Sequence, residues 1–124
     1  MSMDNLKPGT TYAAVLGRVL AHRREQSGLE QRDLAAALGL GQSAWSRIER
    51  GDSVINVEQL RTAAKTLGLP SSSLLQEADE AADALAARDV QVQTSKSVKS
   101  DSNAIALISL AALTVLVVAA LTKK

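Results

Sequence analysis

The stretch from Gln31 to Arg50, QRDLAAALGLGQSAWSRIER, restricts the possible folds more than any other part of the chain. Two short helices that cross steeply need a small residue where their backbones meet, and Ala35 supplies it. The turn between them needs a residue that accepts a left-handed backbone, and Gly39 supplies that. Leu34, Leu38, Leu40, Trp45 and Ile48 then fall on the inner side and plug a shared core. With those positions inward, Gln42, Ser43, Ser46 and Arg47 project outward from the second helix. Such side chains can hydrogen-bond base edges or phosphates, whereas a purely structural surface helix more often carries Glu/Lys pairs.

The flanks extend the same helical pattern. Upstream, Val15, Leu16, Val19 and Leu20 fall at helical spacing and Gly28 follows as a stop. Downstream, Asn56 with Gln59 three residues on forms a capping-box pattern. Val57, Leu60, Ala63, Ala64 and Leu67 give that helix a buried face, Gly68 ends it, and residues 70–75 suggest a fifth helix. No stretch alternates with period two, so the fold expected is all-α: five helices over residues 12–76 and no sheet. Residues 1–11 read as a loose polar lead. Residues 77–103 read as an acidic helical extension with a thin seam (Leu75, Ala78, Ala82, Leu85), broken at Asp89 and followed by a Ser-rich linker.

From Gly28 to Gly51 the residues run G-L-x-Q-x-x-L-A-x-x-L-G-L-x-Q-S-x-x-S-R-I-E-R-G. With that motif the chain resembles the lambda-repressor-like, or XRE, helix-turn-helix family over about Leu16 to Leu75. The resemblance implies a dimer that binds double-stranded DNA through the major groove as a transcriptional regulator. It also implies roles for single residues. Gln31 matches a phosphate-contacting position, Gln42 and Ser43 match base-reading positions, and Ala44, Ser46 and Arg47 match flanking contacts. Arg24 and Glu49 match a pair that forms an internal salt bridge. Two residues depart from the pattern. Glu30 stands where the family has Ser or Thr, which forfeits an N-cap and adds negative charge near the phosphate-facing end. Trp45 stands where Ile or Val is usual and is expected to protrude in part. His22 reads as part of a solvated helix face, and Arg18, Arg61 and Lys65 read as scattered surface charge, with phosphate contact as the alternative.

Composition narrows the function classes. The chain has no cysteine and one histidine, and it shows no nucleophile–base pair or Gly-rich phosphate loop, so no enzyme, metal site or cofactor is expected. Residues 12–76 carry eight Lys/Arg against six Asp/Glu, while residues 77–103 carry three against six. Ala104 to Thr122 is a run of nineteen uncharged residues, ten of them Leu, Ile or Val. As one helix it would measure about 28 Å, close to a bilayer's hydrocarbon core. A single C-terminal transmembrane helix in the lipid bilayer is therefore expected, making the chain tail-anchored. Since MSMDNLKPGT lacks a signal-peptide pattern, the expected location is the bacterial inner membrane, single-pass, with the N-terminal domain in the cytoplasm. Two alternatives fit the same residues: a membrane-anchored, RodZ-like adaptor docking a cytoplasmic protein partner, and a self-assembling structural membrane protein.

Overall fold

The computed structural model describes residues 6–95 and 105–122. Its elements run β1 (Pro8–Thr11), α1 (Tyr12–Gln26), α2 (Gln31–Ala37), α3 (Gln42–Arg50), α4 (Val57–Thr66), α5 (Ser71–Ala87), β2 (Gln91–Gln93), β3 (Ala106–Leu107) and α6 (Leu110–Leu121). The helix boundaries follow from local chemistry. Thr11 caps α1 by accepting from the Ala14 N–H at 3.1 Å. The expected box at α4 forms: Asn56 Oδ1 accepts from the Gln59 N–H at 2.7 Å, and Gln59 Oε1 accepts from the Asn56 N–H at 3.0 Å. At α2 the Glu30 side chain makes no capping hydrogen bond, as expected of an acid in place of Ser or Thr. The Glu30 N–H instead donates to Asp33 Oδ2 at 2.8 Å, which ties the cap residue to the first turn from the other side.

One core joins the described helices. Val15, Val19 and Leu20 of α1 share it with Leu34 and Ala35 of α2, Trp45 and Ile48 of α3, and Leu74 and Leu85 of α5. Trp45 does not protrude, as its size suggested, but is fully buried. Gly17 lets α1 lie directly on the end of α3. A Cβ there would sit 2.5 Å from the carbonyl oxygens of both Ile48 and Glu49.

The fold departs from expectation in three further places. A sheet is present, in the order β2-β1-β3, with both neighbours parallel to β1. Its strands span two to four residues, too short to write a period-two pattern into the sequence. The acidic extension is helical up to Ala87, but its seam is not the thin one expected from Leu75, Ala78, Ala82 and Leu85. It completes α5, whose Leu74, Ala78, Ala81 and Leu85 are buried, and small residues there let α1 and α6 pack against it. The Ser-rich part of the expected linker lies mostly outside the described residues.

The apolar tail is the third place. Among the described residues no helix is long and apolar enough to cross a membrane. Ala106 and Leu107 pair with Pro8 and Gly9, and Ser109 starts a new helix by accepting from the Ala112 N–H at 3.1 Å. What remains for α6 is 12 residues, about 18 Å of helix. Leu113 and Val117 are buried, and α6 packs on α1 and α5. One side of the apolar run thus fills the core.

Packing of this kind sets a contrast between two tail substitutions. Leu113→Ala is expected to lower stability by about 2 to 4 kcal/mol in urea unfolding. Val115→Ala, at a position 68% exposed, is expected to change it by less than about 0.5 kcal/mol.

Candidate nucleic-acid interface

The helix pair is held from beneath by a buried carboxylate. Glu49, only 1% exposed, lies on the inner side of α3. Its Oε2 accepts from Arg24 Nε at 2.6 Å and from the Trp45 indole N–H at 2.6 Å. Its Oε1 accepts from Arg24 Nη2 at 3.1 Å and from Gln31 Nε2 at 2.8 Å. One side chain therefore ties α1, α2 and α3 together, and its charge is matched and fully hydrogen-bonded, as burial requires. The hydrogen bond to Glu49 holds the Arg24 guanidinium above its ordinary pKa, with burial pulling the other way. Arg24 Nη1 also donates to the Leu29 carbonyl at 2.9 Å, fixing the α1–α2 turn.

Arg18 does a parallel job at the end of α3. Its Nε and Nη2 donate to the Glu49 carbonyl at 3.0 and 2.6 Å, and Nη1 donates to Thr114 Oγ1 at 3.3 Å. It is no loose surface charge. Burial lowers its pKa, opposed by Glu49.

Above this support lies a polar face. Gln31, Gln42, Ser43, Ser46 and Arg47 line one shallow recess of about 370 Å³, joined by Arg50. Ala44 is half-buried and does not line it. Gln42, Ser43 and Arg47 are exposed, while Ser46 is half-buried. Gln31 spends one amide hydrogen on Glu49, so it both braces α2 and borders the recess. The N-cap of α3 is Gly41, which offers no capping side chain to the amides of the first turn. Partial positive charge at such a terminus favours an anion. Arg50 is a site residue that the motif did not single out, although it follows Arg47 by three residues and so shares its helix face. It also pairs with Asp52 at 3.2 Å.

Two short helices braced on one core, with a polar outer face on the second, define a helix-turn-helix protein. The pattern of the helix-turn-helix domain family matches residues 15–93, and the chain belongs to that family. No curated protein matches the chain. Two crystal structures of the clp gene regulator ClgR from Corynebacterium glutamicum are similar to it. One is 28% identical, with a TM-score of 0.60, and the match covers 62% of this chain and 82% of that one. The other is 29% identical, with a TM-score of 0.52, and the match covers 55% and 88% respectively.

The bracing network separates a charged from a neutral donor. Arg24→Met strands the Glu49 carboxylate and is expected to cost about 3 to 5 kcal/mol in urea unfolding. Trp45→Phe, which removes one neutral donor and keeps an aromatic ring, is expected to cost about 1 to 3 kcal/mol.

Proposed function

We propose that this chain is a transcriptional regulator that binds duplex DNA as a homodimer, with α3 entering the major groove. The recess shared by Gln31, Gln42, Ser43, Ser46, Arg47 and Arg50 at the start of α3 carries the reading. Gln42 and Ser43, exposed in the first turn, are suited to base edges, and Arg47 and the first-turn amides to phosphates. The likeness to a clp gene regulator supports the same class. In this reading Glu49 and Arg24 position α3 and touch no DNA.

The test is binding of the full-length chain to duplex DNA, followed by fluorescence anisotropy across a salt series. Gln42→Ala with Arg47→Ala is expected to abolish sequence preference while leaving the melting curve unchanged, since both side chains are exposed. Arg47→Ala alone should reduce the salt slope by about one unit. A wild-type chain that ignores DNA at low salt overturns the proposal.

A second reading, membrane attachment through residues 104–122, is favoured by one observation. The outer side of α6 is apolar, with Leu110 and Val115 exposed. Attachment would require the tail to leave the domain. Alkaline carbonate extraction of the full-length chain decides it: recovery in the membrane pellet supports attachment, and recovery in the supernatant removes it.

A further inference from the structure

A second recess, apolar and separate from the polar one, lies between the start of α1, the start of α4 and the start of α5. It encloses about 660 Å³, and Leu16, Ile55, Leu60 and Leu75 form much of its wall. Small-molecule sites typically span roughly 300 to 1,000 Å³ and are mostly apolar with a few placed polar groups. Two valines of the same lining stand out into solvent: Val54 in the α3–α4 loop is 66% exposed, and Val57, the first residue of α4, is 82% exposed. A ligand seated beside them would cover apolar surface that the fold leaves in water.

We infer that this recess binds a free medium-chain fatty acid, its carboxylate on Arg61 and its alkyl chain along the aliphatic wall. Charge selects the headgroup. Among the described residues of the lining, Arg61 is the one charged side chain, and no carboxylate is present. Arg61 is exposed and forms no ion pair among the described residues, whereas Arg23 and Arg24 are spent on Glu77 and Glu49. A guanidinium offers a planar fork of donors that matches a carboxylate in two bonds. Shape and chemistry select the rest of the ligand. The wall is aliphatic apart from Tyr12, whose O–H is already donated to Asp79 at 2.7 Å. A flexible alkyl chain follows such a wall, and each methylene it buries contributes about 0.8 kcal/mol. The inference stands apart from the DNA-binding reading, since none of these residues lines the polar recess at α3.

Isothermal titration calorimetry of the full-length chain with decanoate, kept below its micelle concentration, tests the site. Saturable binding of one decanoate per chain is expected. Arg61→Glu should raise the dissociation constant by about tenfold or more, the scale of a lost charge-assisted hydrogen bond. Val57→Asp, which sets a like charge at the mouth, should weaken decanoate in the same direction. Both positions are exposed, so neither change should alter the melting curve. Decanol, with the same chain and no charge, should bind the wild type more weakly than decanoate. The inference is overturned by an absence of saturable binding, by an Arg61→Glu or Val57→Asp chain that binds decanoate as tightly as the wild type, or by decanol that binds as tightly. It is also overturned by binding that Val115→Ser removes, because the ligand would then lie on α6. Adsorption to phosphatidylglycerol vesicles without decanoate binding overturns it as well, since the face would then meet a bilayer and no free acid.

Discussion

The fold is organised around a charge that cannot be left alone. A carboxylate taken out of water costs several kcal/mol unless its lone pairs are filled, and Glu49 fills them with donors from three helices: Arg24 of α1, Gln31 of α2 and Trp45 of α3. Each donor is therefore located by the others. Apolar contacts alone would hold α2 and α3 together with some freedom to slide, since volume-conserving repacking is tolerated in cores. The directional bonds to Glu49 remove that freedom, and they do so directly beneath the polar face. Rigid presentation of Gln42, Ser43 and Arg47 is thus a result of what lies on the opposite side of α3.

How far the structure is legible in the sequence depends on the kind of interaction. The helix pair is legible because its demands are local: a small residue at Ala35, a left-handed turn at Gly39 and apolar residues at fixed spacing. The capping box of Asn56 and Gln59 is legible for the same reason. Glu30 gives only part of the picture when it is judged alone: its side chain makes no cap, as expected, but its N–H is held by Asp33 three positions on. Trp45 misleads by its size. Its indole N–H has a partner in Glu49 that becomes visible only when the helices are packed.

The remainder is illegible because it depends on distant pairing. Strands of two to four residues carry no period, and β1 pairs with β2 and β3 through backbone groups that nearly every residue possesses. The tail poses a different difficulty. Hydrophobicity measures what a segment avoids and not where it goes, so residues 104–122 suit lipid and a protein core alike. In the fold, Ser109 starts a new helix in the middle of the run and leaves the residues just before it free to extend. Of the candidate site, Arg50 is findable from its spacing to Arg47, whereas the second role of Gln31, bracing α2, depends on the position of Glu49.

The sheet also sets an order of events in folding. Pro8 waits for Ala106, nearly a hundred positions later in the chain, before the β1–β3 edge can close. Contacts that far apart form slowly, because a long loop must be closed first. The contacts of the helix pair with α1 span only residues between Val15 and Arg50, so they close far shorter loops than the β1–β3 edge does. By that ordering the contacts beneath the polar face of α3 are local and those of β3 and α6 are distant, so among the described elements β3 and α6 are the pieces whose docking closes the longest loops.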